Sequence, residues 1–258
     1  MALPEFSGFS LQDDNYITTN ITYRGWPVRD DTTKPISRKP GVKLLSEEFG
    51  DKRIRIRGYI LGSSPSDLKS KIDSLNTELQ KVSQILKIDT DRTYTATCTY
   101  VSVSDPHYAQ DFVPYEAEFL CADPFAYTDE ITATMTIVSG TSAQTFTTTI
   151  SGSYFAEPSL RYETTSGSGT TTTSGVRLEI LNSGEYVDWA GSDNGTILSY
   201  SSSMTFDYKT FKVLQDVTQR NHTGVFSRWE PGSQSFKITF GGGVQGGNLK
   251  ISYSPRYL

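Results

Sequence analysis

The chain has 258 residues, a formal charge of −5 and a pI near 5.1, which disfavours a protein held to nucleic acid by neutralising phosphates. Apolar residues make up 36% and aromatic residues 12%, enough for packed cores and too much for a disordered chain. Two cysteines cannot staple this length, two histidines limit zinc and catalytic sets, no apolar run reaches about 18 residues, and MALPEFSGFS lacks the basic start and apolar core of a signal peptide, so a soluble, reduced, β-rich protein without membrane insertion is expected.

In chain order, the first informative stretch is Arg29–Lys43, RDDTTKPISRKPGVK. Its two prolines and its polarity exclude it from a core. Arg53–Ile60 alternates isoleucine with arginine, as a half-buried strand does. A helix follows. Ser64-Pro65-Ser66-Asp67 supplies an N-cap, a first-turn proline and an acid three residues after the cap. Leu68, Ile72, Leu75, Leu79, Val82 and Leu86 then recur at helical spacing, which predicts one apolar face over about five turns. Strand alternation returns with Tyr94, Ala96, Cys98 and Tyr100 on one face. It continues with Val113, Tyr115, Ala117, Phe119 and Cys121, and Glu116 and Glu118 lie on the opposite face.

A boundary is expected near residues 125–130. The first 128 residues hold 24 Ser and Thr and 33 charges, and the last 130 hold 39 and 20. Asp123-Pro124-Phe125 lies at the change, and its proline ends a strand. Beyond it, Thr132–Ile137, Gln144–Ile150, Arg177–Leu181, Ser203–Phe206, Phe211–Leu214, Ser235–Phe240 and Leu249–Tyr253 read as short strands separated by turn residues. The expected organisation is residues 1–128 as one domain and residues 129–258 as a second, antiparallel β-sandwich domain.

Few residue sets suggest chemistry. The glycine run Gly241–Gly247 sits between strand-like FKITF and LKISY, so it reads as a hairpin connection and not as a phosphate loop opening a helix. His107 and His222 lie in polar loops without metal-ligand spacing, and Cys98 and Cys121 read as small buried thiols. Glu116, Glu118, Glu185 and Asp188 offer carboxylates without a geometry that selects two of them. No enzymatic activity, metal or cofactor is expected. The sharpest feature is the ladder Arg53, Arg55, Arg57, extended by Lys52. Like charges on one strand face repel unless offset. Either the face is solvated, or it meets an acidic surface on a neighbouring copy of the chain.

The order of these pieces resembles one family. The I-R-I-R-G-x-I strand runs into a capped leucine-rich helix, then Tyr94-Thr-Ala-Thr and Phe119-Leu-Cys-Ala-Asp-Pro-Phe-Ala-Tyr127. Next come Gly-Ser-Tyr-Phe-Ala-Glu-Pro158, Ile180-Leu-Asn-Ser-Gly184 and Phe226-Ser-Arg-Trp-Glu-Pro-Gly232. From about Phe6 to Tyr253 the chain is similar to the distal tail (Dit) proteins of long-tailed siphophages. The resemblance implies a mainly β fold, with an N-terminal split β-barrel flanked by one α-helix and a C-terminal galectin-like antiparallel β-sandwich. It implies a structural virion protein at the distal end of the tail, assembled in the host cytoplasm. Six copies would form a ring between the tail tube protein and a tail-tip or tail-associated lysin protein. That ring would be the hub for tail fibres or receptor-binding proteins, with DNA only passing through its channel. An extended hairpin near Arg29–Lys43 would reach a neighbouring subunit, unless this stretch is a loose loop. Arg53, Arg55 and Arg57 are then candidate subunit-interface residues. The alternative is a carbohydrate-binding module, with Trp189 and Asp188 as possible glycan contacts beside Glu185 and Asp193. Against it, the galectin set of His, Asn, Arg and Trp-x-x-Glu is not found.

Overall fold

The computed structural model describes residues 4–23, 25–27, 29–35, 42–105, 111–166, 173–190, 202–242 and 246–258. They divide into two compact units, Met1–Tyr127 with Leu258, and Thr128–Tyr257. His107, Asp193 and the centre of the glycine run lie outside the described residues.

The first unit contains β1 (Glu5–Phe6), β2 (Phe9–Ser10), β3 (Tyr16–Thr22), β4 (Arg29–Pro35), β5 (Val42–Phe49) and β6 (Lys52–Leu61). The helix α1 (Pro65–Leu79) follows, then β7 (Gln84–Lys87), β8 (Thr93–Val103), β9 (Phe112–Cys121) and β10 (Ala126–Tyr127). The main sheet runs β2-β1-β7-β8-β9-β6-β3. Every second residue of β6 and β9 is buried, so Ile54, Ile56 and Ile60 meet Val113, Ala117 and Phe119 on one face. Gly58 is required where β3 crosses close to β6. A Cβ there would lie 2.2 Å from the Ile17 carbonyl oxygen.

The Ser64 hydroxyl caps α1 by accepting from the Asp67 amide. Leu68, Leu75 and Leu79 are buried. Tyr16 ties the helix to the sheet by donating to the Lys71 carbonyl at 2.9 Å, and the Lys71 ammonium donates to the Leu61 carbonyl at 2.9 Å. The helix is shorter than its apolar spacing predicts. Val82 is 65% exposed, and Leu86 sits in β7 opposite Tyr94 and Phe6. Leu86 is thus buried by a strand ladder, and its helical spacing from Leu79 is coincidental.

The split-barrel expectation is corrected. A barrel needs its last strand to pair with its first. Here the path ends at β2 and β3, and no ladder joins them among the described residues. β4 and β5 form a separate two-stranded sheet that pairs Arg29 with Phe49 and Pro35 with Val42.

The second unit contains β11 (Ile131–Ile137), β12 (Ala143–Ile150), β13 (Ser159–Ser166), β14 (Thr173–Ile180), β15 (Glu185–Ala190) and β16 (Ser203–Asp207). It continues with β17 (Lys212–Gln215), β18 (Thr218–Arg220), β19 (Thr223–Gly224), β20 (Gly232–Gly242) and β21 (Gly246–Tyr253). They form a six-stranded sheet, β11-β21-β13-β16-β17-β18, and a five-stranded sheet, β12-β20-β14-β15-β19, all antiparallel. Tyr162, Phe206 and Ile251 from one sheet join Leu178, Trp189 and Phe236 from the other in one core. The galectin-like expectation is corrected to these two strand orders. Two-sheet folds share antiparallel pairing and a common core, and only strand order separates one from another. The glycine run is not a hairpin connection either, because β20 and β21 belong to different sheets.

Candidate assembly surface

Strand alternation sends Arg53, Arg55 and Arg57 to the outer face of β6, opposite the isoleucines. On β9 the same alternation sends Glu116 and Glu118 outward. The register places Arg55 opposite Glu118 and Arg57 opposite Glu116. Arg53 Nη1 reaches Glu118 Oε1 at 3.1 Å, and Arg55 Nη2 reaches Glu118 Oε2 at 2.8 Å. Arg55 Nε meets Glu116 Oε1 at 3.1 Å, and Arg57 Nε meets Glu116 Oε2 at 2.8 Å. The result is one continuous chain, Arg53–Glu118–Arg55–Glu116–Arg57, with Arg55 bridging both carboxylates.

The carboxylates lie deeper than the guanidiniums. The Glu118 side chain is 14% exposed and that of Arg55 is 47% exposed. The Arg55 hydrogen bond, aided by the one from Arg53, holds the Glu118 carboxyl below its ordinary value of 4.5. The same bond raises the Arg55 guanidinium. The arginines' acidic counter-charge is therefore present within the chain. The sequence carries it as an E-x-E pattern facing an R-x-R-x-R pattern, but only the register joins the two.

A shallow groove of about 250 Å³ opens between Thr22, Arg53, Arg55, Arg57 and Glu118. Exposed Tyr59 and Phe112 flank the ladder, edge to face at 5.4 Å. Tyr100 is also exposed, because the bulge between Cys98 and Tyr100 breaks the predicted alternation of β8. Arginine and tyrosine on one outer face are the residue types enriched at protein interfaces. Trp26, 71% exposed, stacks edge-on against Phe49 at the end of the β4–β5 hairpin.

Lys52 does not extend the ladder. It occupies the opposite phase of β6 and is buried, where its ammonium donates to the Tyr94 hydroxyl at 3.3 Å. Burial pulls this amine below its ordinary value. It lines a polar cavity of about 400 Å³ with Tyr23, Asp89, Asp91, Arg92, Tyr94 and Leu258. Cys121 is buried, and burial pushes its thiol up to about 12. Cys98 is half-buried and is shifted in the same direction, so neither is poised as a nucleophile. His222 packs edge-on against Phe226 at 5.1 Å. No group of three or more His, Cys, Asp or Glu that could hold a metal occurs among the described residues.

Trp189 is 0% exposed in the second core, across from Val176, and offers no stacking face to solvent. Asp188 is on the other face of β15, opposite Arg177. The structure does not join these two residues in one solvent-facing site.

No protein-family model and no curated protein sequence matches the chain. Among solved structures, the chain resembles the SPP1 Dit protein (gp 19.1), described as a paradigm of the hub adsorption apparatus in phages infecting Gram-positive bacteria. The TM-score is 0.72 at 13% identity, covering 100% of both chains. A chain in the phage p2 baseplate, in its activated conformation with Sr, aligns at a TM-score of 0.42 and 8% identity over 93% of this chain and 91% of that one. The chain thus has the fold of a phage Dit protein along its whole length.

Proposed function

We propose that the chain, having that fold, is a structural, non-catalytic hub subunit at the distal end of a long phage tail. The full-length likeness to SPP1 Dit carries this reading, because it spans both units and not a single common module. In this role six copies form a ring that joins the tail tube protein to a tail-tip or tail-associated lysin protein. The ring presents a platform for tail fibres or receptor-binding proteins, and the virion part is assembled in the host cytoplasm. DNA passes through the channel without being recognised, in keeping with the acidic charge.

Two features support placing the subunit contact on the first unit. The ladder of Arg53, Arg55 and Arg57 is pre-ordered by its own glutamates, so its guanidiniums meet a neighbour already oriented. The β4–β5 hairpin pairs with no other strand among the described residues, which suits an arm that reaches a neighbouring subunit. Imaging the purified protein by negative-stain electron microscopy tests the reading. Six-fold rings are expected, and isolated single copies in the presence of tail-tube and tail-tip proteins would overturn it.

A further inference from the structure

The second unit has a pocket that the hub reading leaves unused. Its floor is Ala156, Tyr208 and Ser227, all buried, and its walls are Phe155, Phe211 and Phe226. Phe211 is 61% exposed and has φ +55, a left-handed conformation that bulky side chains avoid. The turn that holds it is pinned by Asp207, which accepts from the Lys209 amide at 3.0 Å and the Thr210 hydroxyl at 2.6 Å. A strained, exposed phenylalanine on a fixed turn is not accounted for by core packing. Its ring meets Phe226 edge-on at 5.9 Å, and Phe226 meets Tyr208 at 4.9 Å, so the aromatic wall continues into the core.

Size and charge select the occupant. The pocket measures about 170 Å³. Pockets for drug-sized ligands run from roughly 300 Å³ upward, whereas a cavity of about 150 Å³ accepts a benzene ring. One aromatic side chain therefore fills it. At the rim, Glu157 is neutralised by Arg256 at 2.7 Å. Arg228 lies over the Phe155 ring at 4.6 Å and forms no ion pair among the described residues. Lys209 and Lys212 border Phe211 in sequence. The rim thus presents an unmatched cation beside an aromatic slot.

We infer that this pocket docks a segment of a partner polypeptide that inserts one aromatic side chain and pairs an adjacent carboxylate with Arg228. The inference rests on the hub reading only in taking the partner to be a protein. The test titrates the intact protein with N-acetyl-Asp-Phe-amide and N-acetyl-Lys-Phe-amide, following backbone NMR shifts. The aspartyl peptide is expected to bind up to about fivefold more tightly, the preference that one solvent-exposed ion pair to Arg228 supplies. Arg228→Gln should abolish the preference, and Phe211→Ala should weaken both peptides while leaving the melting temperature unchanged. Equal binding of the two peptides, or no shift at this pocket, overturns the inference. Saturable binding of chitotetraose here instead would assign a glycan. A drop in solution mass on Phe211→Ala without peptide binding would assign a second copy of the chain. Ring imaging on the same samples separates the readings: intact rings without peptide binding remove only the pocket, and absent rings remove the hub.

Discussion

Arg55 sits between two carboxylates and binds both, so the outer face of β6 and β9 is ordered by one guanidinium. Its effect on Glu118 has a pH consequence. A carboxyl whose folded value is depressed contributes stability that is fully present above its unfolded value of 4.5, and loses it as the pH falls through the lowered folded value. Glu118→Gln should therefore flatten the acid limb of the stability profile below about pH 4.5. Urea midpoints at pH 7 and pH 3.5 check this, and an unchanged acid limb would show that the bond is absent in solution. The alternating pattern of each strand is plain in the sequence, as is the outward position of Glu116 and Glu118. What is not plain is which residue faces which, because register is fixed by turns and neighbouring strands. Lys52 shows the complementary error: a basic residue adjoining three arginines looks like a fourth rung, but strand phase turns it inward to Tyr94.

Among the elements, α1 and the ladder make separable predictions. Leu75 is fully buried, so Leu75→Ala should cost about 2–5 kcal/mol. Val82, expected on the same helical face but exposed beyond the helix end, should change stability by less than about 0.5 kcal/mol when truncated. Denaturant titration of both variants checks where the helix stops, and equal losses would place Val82 in the core after all. Changing Arg53, Arg55 and Arg57 together to Gln should leave the monomer folded, since this face is open to solvent. It should also shift ring dissociation to higher protein concentrations, read by mass photometry across a dilution series. An unaltered dilution curve would move the contact off this face. Element by element, the sequence is legible where alternation is strict, as in β6, β9, β20 and β21. It is opaque at β13 and β15, where only Leu160 and Tyr162, or Val187 and Trp189, mark the buried face with apolar residues, and at the bulge that turns Tyr100 outward. Strand identity was thus more readable than sheet order, which is why the barrel and galectin-like expectations failed while the mainly β reading with one helix held.

For the whole molecule, two buried cores lie on either side of Tyr127 and Thr128. A domain with its own core can melt on its own, so fragments cut at that point should each show a cooperative transition by circular dichroism. Failure of both would mean that neither core is sufficient alone. In the sequence, Ser and Thr rise from 24 in the first 128 residues to 39 in the last 130, while charges fall from 33 to 20. The proposed hub role is suggested in the sequence only by the order of motifs. Ring formation by the proposed hub subunit is read from the mass of the purified full-length protein in solution, measured by light scattering over a range of concentrations. The expected mass is six times that of the 28.6 kDa chain, or a multiple of it if rings pair. A mass of one chain at every concentration, unchanged by adding tail-tube and tail-tip proteins, would contradict it.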